Sequence, residues 1–155
     1  MRRGPPTAAD LAGMEHALRQ ARAAAVVEEV PVGAVIVREG EVLAEAHNET
    51  IQRGDPTAHA EMLALRLALE RSGEGRLLDA TMYITLEPCA QCAGALILTK
   101  VGRVVFGAFD DRAGMAGSVA DLLRNPRLNH RPEVVGGILA DECGELLKNF
   151  FRARR

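Results

Sequence analysis

The stretch TLEPCAQCAG, residues 85–94, sets two cysteines two residues apart at the junction between two apolar segments. Upstream, ATMYITLE (80–87) is rich in β-branched and aromatic residues and reads as a strand. Downstream, CAQCAGALILTK (89–100) is apolar on several sides and reads as a buried helix. Two thiolates at a strand-to-helix junction are half of a site, because a zinc-type shell is tetrahedral and needs more donors.

Working outward, the same alternation recurs. Residues 8–27 are Ala-rich, with Leu11, Met14 and Leu18 at helical spacing, and predict a helix. VGAVIV (32–37) and EVLAEAHN (41–48) predict two strands joined by a tight turn at Arg38-Glu39-Gly40. DPTAHAEMLALRLALERSG (55–73) carries helix-start signals at Asp55, Pro56 and Thr57 and a stop at Gly73. Its Met62, Leu63, Leu65, Leu67 and Leu69 nearly surround the helix, which predicts burial on several sides. RVVFGA (103–108) predicts a strand and RAGMAGS (112–118) a loop. EVVGGIL (133–139) predicts a last strand and DECGELLKNFFRARR (141–155) a last helix. A hairpin followed by strands alternating with buried helices predicts one α/β domain, a three-layer α/β/α sandwich with a mixed central sheet. Residues 1–7 are expected to be disordered. Ligand sites in such sheets sit where strands give way to helices.

Composition narrows the setting. Of 155 residues, 48% are hydrophobic and 26% charged, an ordinary globular balance. Three cysteines, an odd number, make no disulfide framework and favour a reducing compartment. MRRGPP starts like a secretory signal, but no apolar core follows it. AGALIL (93–98) is far too short to span a membrane. The expectation is a cytoplasmic protein without a membrane segment. A net charge of −2 argues against a general nucleic-acid binder. Against that, the tail KNFFRARR holds Lys148, Arg152, Arg154 and Arg155 with no acid among them. By itself such a tail reads as a solvated helix end whose cations suit the helix dipole.

The missing donors come from His16, His47, His59, His130 or Cys143. His59 is singled out by position, because it opens the 55–73 helix as Cys89 and Cys92 open the 89–100 helix. Two helices packed side by side, N-termini together, bring all three to one point and aim two positive dipole ends at the thiolates. Three protein donors leave a fourth corner of the shell for water, the arrangement of catalytic rather than structural zinc. Water in that corner ionises near pH 7, against about 15.7 in bulk. Glu61, two residues after His59 and about 200° round a regular helix, can reach over the helix end and shuttle a proton. Taken singly, each feature has another reading: Cys-x-x-Cys before a helix also fits a thiol redox pair. Taken together, His-x-Glu and Pro-Cys-x-x-Cys are the signature of zinc-dependent nucleobase deaminases.

Beyond that signature, the chain resembles the bacterial tRNA-specific adenosine deaminases. EVPVGAV (29–35), DPTAHAE (55–61), TLEPCAQCAGA (85–95), GRVVFGAFD (102–110), NHRPEVVGGILADEC (129–143) and FFRARR (150–155) all resemble that family, so the likeness covers residues 10–155. It implies hydrolytic conversion of the wobble adenosine of a tRNA anticodon loop to inosine, the tRNA being an arginine tRNA. It further implies that one zinc ion per subunit is held by His59, Cys89 and Cys92, that a zinc-bound hydroxide attacks carbon 6, and that Glu61 is the proton shuttle. Asn48 is implied to hydrogen-bond the extruded base, with the Ala60 backbone and Val30 framing the purine. Asp110 is implied to contact a ribose hydroxyl, and Arg53, Asn129, Phe151 and Arg152 to hold loop nucleotides and phosphates. The resemblance also implies a homodimer. Phe109 stands where the family has arginine, exchanging a cation for a stacking face. Gln91 replaces an apolar residue and is expected to be peripheral. His47 and His130 are expected to pack or hydrogen-bond, and Cys143 to act as a small buried hydrophobe. The zinc motif alone also fits a deaminase of free guanine or cytosine.

Overall fold

The structure is a computed structural model that describes residues 5–154. Ten elements follow one another: α1 (Ala8–Val26), β1 (Gly33–Arg38), β2 (Glu41–His47), α2 (Thr50–Arg53), α3 (Ala60–Ser72), β3 (Ala80–Leu86), α4 (Ala90–Leu98), β4 (Arg103–Ala108), β5 (Glu133–Val135) and α5 (Ala140–Arg152). Of residues 1–7, expected to be disordered, residues 1–4 lie outside the described ones. Thr7 is the N-cap of α1, its Oγ1 accepting from the Asp10 amide at 3.1 Å.

The strands form one sheet in the order β2-β1-β3-β4-β5. β1 pairs antiparallel with both β2 and β3, whereas β3, β4 and β5 run parallel. Arg38 pairs with Glu41 across the predicted turn. Glu39 and Gly40 both have positive φ, +52° and +77°, the geometry that lets a two-residue turn follow the twist of a hairpin. The last strand is shorter than predicted: pairing stops at Val135, and Gly137, at φ +87°, turns the chain toward α5.

Alternation along the strands builds the three layers. Ile36, Met82, Ile84, Val104 and Phe106 point to one face and pack with Leu65 of α3 and Leu96 of α4. Val35, Tyr83 and Val105, their sequence neighbours, point to the other and pack with Met14 and Leu18 of α1 and Cys143 of α5. Both faces are therefore covered, and the central strands are mostly apolar instead of alternating strictly with polar residues. Each large side chain so buried contributes about 1.5–3 kcal/mol. α1 approaches β1 so closely that a Cβ on Gly33 would lie 2.1 Å from the Ala17 carbonyl oxygen. No helix among the described residues is long and apolar enough to cross a membrane.

This topology fixes where chemistry can sit. Strands β2, β3 and β4 all end at one edge of the sheet, and β1 begins there. The residues just before β1, just after β2, β3 and β4, and at the starts of α3 and α4 therefore converge.

Candidate metal centre and base-sized cavity

His59 and Cys89 occupy equivalent places. Each is the N-cap of its helix, in extended conformation, and neither side chain caps its own helix. The helix predicted from Thr57 in fact starts at Ala60. Asp55 is the cause: its Oδ1 accepts from both the amide and the hydroxyl of Thr57, at 2.9 and 2.7 Å, and holds residues 55–57 in a turn. His59 thus precedes the helix in extended conformation, and the 200° offset expected between it and Glu61 on a regular helix does not apply.

The Nδ1 atom of His59 lies 3.4 Å from Cys89 Sγ and 3.5 Å from Cys92 Sγ. All three donor atoms fall within 4.8 Å of one another. Tetrahedral zinc with N and S bonds of its usual lengths holds its N and S donors about 3.5 Å apart, so the donor set fits that ion. Since Nδ1 faces the sulfurs, the ring proton belongs on Nε2. A hydrogen bond to the Pro56 backbone steadies the ring. His130, His47 and Cys143 stand elsewhere. His130 Nε2 meets the Val101 carbonyl at 2.7 Å, His47 Nδ1 meets the Asn48 carbonyl at 2.9 Å, and Cys143 is buried beside Gly107.

The charges of the cluster suit a cation. A hydrogen bond from Cys92, aided by His59, brings the Cys89 thiol down to about 4. The same contact, followed by burial and the nearby Glu61, pushes the Cys92 thiol far up. Two adjacent thiolates, one of them fully buried, repel, and a divalent ion between them removes that penalty. The hydrogen bond to Cys89 raises His59, against the effect of its burial. Glu61 is 4% exposed, and burial raises its carboxyl above the ordinary range. It stands within hydrogen-bonding reach of Cys92.

Beside the cluster is a cavity of about 210 Å³. That is smaller than the roughly 300–1,000 Å³ of pockets for drug-sized ligands, a size for one base instead of a whole nucleotide. His59, Ala60, Glu61 and Cys89 form its metal end, and Val30, Asn48 and Asp110 line it as well. Asn48 is buried, its Nδ2 donating to Thr50 Oγ1 at 3.2 Å. Val32, Thr50, Leu86, Glu87 and Ala113 complete the lining. These five were not singled out from the sequence. Thr50 in particular sits on α2, a helix too short for a periodic signal and capped from afar by the buried Glu29, whose carboxylate accepts from the amides of Ile51 and Gln52.

The other expected contacts lie outside this cavity. Phe151 and Arg152 line a separate open groove of about 600 Å³ with Arg112, Leu147, Lys148 and Arg154. Arg154 lies over the Phe150 ring at 3.4 Å, leaving Phe151 half exposed. Arg53 is ion-paired with Glu49 one helical turn back. Asn129 accepts from Lys100 Nζ at 2.9 Å. Phe109 is half exposed, its ring edge-on to Phe106 with centroids 5.2 Å apart. Gln91 lies at the surface yet donates to the Thr57 carbonyl oxygen at 3.0 Å.

Comparison with known proteins extends this geometry. Residues 7–108 match the family described as the cytidine and deoxycytidylate deaminase zinc-binding region. The chain is 50% identical over 144 residues to a tRNA-specific adenosine deaminase of Bacillus subtilis, covering 92% of this chain and 88% of that protein. It is 43% identical over 143 residues to a tRNA-specific adenosine deaminase of Haemophilus influenzae, covering 92% and 83%. Among solved structures, one from a study of A-to-I editing by tRNA:A34 deaminases at the wobble position of transfer RNA superposes with a TM-score of 0.84. It is 40% identical and covers 88% of this chain and 99% of that one.

Proposed function

Because the chain belongs to the cytidine and deoxycytidylate deaminase zinc-binding family, we propose that it hydrolytically deaminates adenosine in tRNA to inosine, at the wobble position of the anticodon loop. The observation that carries this reading is the three-donor cluster of His59, Cys89 and Cys92, with buried Glu61 at its side, opening onto a base-sized cavity.

Zinc held by His59 Nδ1 and the two cysteine sulfurs supplies the Lewis acidity that makes water a nucleophile at neutral pH. Glu61 handles the protons. Its burial lifts the carboxyl toward the pH at which it can both accept and return one. It takes one proton from the attacking water and delivers it to ring nitrogen 1 of the purine, then takes the second from the hydroxyl so added to carbon 6 and delivers it to the amine, which leaves as ammonia while the carbon–oxygen double bond of inosine forms. Asn48 presents its amide to the base, and Val30 and Ala60 form the wall and floor against which the ring lies. Asp110, at the cavity's rim, accepts from a neighbouring ribose hydroxyl. An anticodon loop base is already unpaired, so turning it into the cavity costs less than from a duplex.

The groove of Arg112, Lys148, Arg152 and Arg154 supports an RNA substrate, since it gathers cations on a chain of net charge −2. Phe151 at its centre offers a stacking face. Arg53 and Asn129 complete the phosphate and nucleotide contacts once released from Glu49 and Lys100. The reading extends to an arginine tRNA, a cytoplasmic location where tRNA and free thiols coexist, and a homodimer. The exposed Leu98 and Leu78 provide apolar surface for that dimer.

The test is purified, zinc-loaded protein incubated with an arginine tRNA anticodon stem-loop and, separately, with free adenine, guanine and cytosine. Inosine at the wobble position, with the free bases untouched, is the expected result. Ammonia released from guanine or cytosine, with the stem-loop unchanged, overturns the proposal in favour of a free-base deaminase.

A further inference from the structure

We propose that Glu87 is a positioning residue: its buried carboxylate fastens the 109–118 segment, which forms one wall of the cavity, onto the stretch of chain that delivers Cys89. The proposal rests on the deaminase reading above and assigns a task to a residue outside the metal cluster.

Glu87 is 2% exposed and two residues before Cys89. Four donors of the segment after β4 converge on it. Oε1 accepts from the Asp110 amide at 3.0 Å and from the Ser118 hydroxyl. Oε2 accepts from the amides of Ala116 at 3.0 Å and Ser118 at 3.1 Å. The backbone joins in: the Glu87 amide donates to the Ala108 carbonyl at 2.8 Å and the Met115 amide to the Pro88 carbonyl at 2.9 Å. Gly114 has to lack a side chain, because a Cβ there would sit 2.4 Å from the Glu87 carboxyl carbon. The loop is thus wrapped around one anion, its amides gathered as in an anion-binding nest whose anion the protein itself supplies.

The segment so held carries residues of both surfaces that the deaminase reading assigns to the substrate. Asp110 and Ala113 line the base cavity, and Arg112 lines the cationic groove with Phe151 and Arg152. Glu87, in the cavity lining but outside the metal cluster, therefore sets the register between the groove and the reaction centre. Its replacement by glutamine keeps the size but leaves one acceptor oxygen, and it turns an N–H₂ group against amide donors. The expected consequence is a loosened wall and weaker RNA binding, with the metal retained.

The experiment compares zinc-loaded wild type, Glu87→Gln and the milder Ser118→Ala by zinc content, amide hydrogen exchange, and kcat and KM on the anticodon stem-loop. For Glu87→Gln, one zinc per chain, about tenfold faster exchange at the amides of residues 110, 116 and 118 with the Val104–Phe106 amides unchanged, and a KM raised about tenfold with kcat within about threefold are expected. Unchanged exchange at those three amides overturns the proposal. So does a fall in kcat at constant KM, the signature of a merely structural or chemical role. If Glu87→Gln does not fold, Ser118→Ala is judged by the same criteria at residues 116 and 118, with smaller changes. If the wild type leaves the stem-loop unchanged, the deaminase reading fails by itself, and amide exchange alone decides whether Glu87 docks the loop.

Discussion

Gln91 Nε2 donates to the Thr57 carbonyl oxygen at 3.0 Å, and so joins the two chain segments that bring His59 and Cys89 together from 30 residues apart. The contact lies at the surface, but it spans the gap between the starts of α3 and α4. Outer contacts of this kind keep ligands aimed at a metal. Gln91→Ala is expected to weaken zinc affinity by about tenfold and to leave the fold intact. Competition with a chromogenic chelator measures it.

Loss of a donor should have a larger effect. Cys92 is fully buried and supplies one of the three ligand atoms. Cys92→Ser is expected to yield protein with less than about one tenth of the wild-type zinc after dialysis against chelator, because a hydroxyl is a poor substitute for thiolate. Elemental analysis provides the readout, and full zinc occupancy of the variant would contradict the assigned donor set.

In the proposed reaction Glu61 separates metal binding from chemistry. Glu61→Gln keeps the buried volume and the hydrogen-bonding oxygen but cannot carry the proton. Zinc content is expected to stay at one per chain, while the deamination rate falls about 10²–10⁴-fold. Single-turnover assays on the stem-loop, run alongside metal analysis, test both halves.

The buried polar triad beneath α1 ties stability to pH. Arg103 donates to both carboxylate oxygens of Asp10, at 2.6 and 2.8 Å, and Tyr83 Oη donates to Oδ1 at 3.1 Å. Arg103 holds the Asp10 carboxyl below its ordinary value, against the cost of its burial. Folded Asp10 therefore binds fewer protons than unfolded Asp10 below about pH 4, and its stabilisation is lost as pH falls through that range. Burial and Asp10 push Tyr83 up to about 12. The folded phenol keeps its proton where the unfolded one ionises, so stability also falls between about pH 10 and 12. Arg103→Ala removes the two-pronged cationic partner of a buried carboxylate and is expected to cost about 3–5 kcal/mol. Urea melts at acidic, neutral and alkaline pH check all three statements.

Gly33 tests the approach of α1 to the sheet. A methyl there would lie 2.1 Å from the Ala17 carbonyl oxygen and 2.6 Å from the Ala21 amide nitrogen, both fixed backbone atoms. Gly33→Ala must push α1 outward, and a destabilisation of about 1–3 kcal/mol is expected in urea melts.

Much of the layout was legible because it rests on short-range pattern. β4 spans Arg103–Ala108 as its apolar run predicts, and β1, β2 and β3 fall within one or two residues of their predicted limits. HAE and PCAQC point to one metal site from sequence alone, since few chemistries need those residue types at two helix starts. Elsewhere the pattern misled. Thr57 has the composition of a helix start, but Asp55 holds it in a turn and α3 begins at Ala60. α2 was missed because its cap, Glu29, is 22 residues away.

What the chain determines locally is which segments are strand or helix and which side chains are able to bind a metal or move a proton, because periodicity and donor chemistry are written into neighbouring residues. The strand order, the cavity behind Asn48 and Val30, and the folding of residues 109–118 around Glu87 were decided only in three dimensions. Each depends on contacts between residues distant in sequence, whose free energy is gained only when the layers close together.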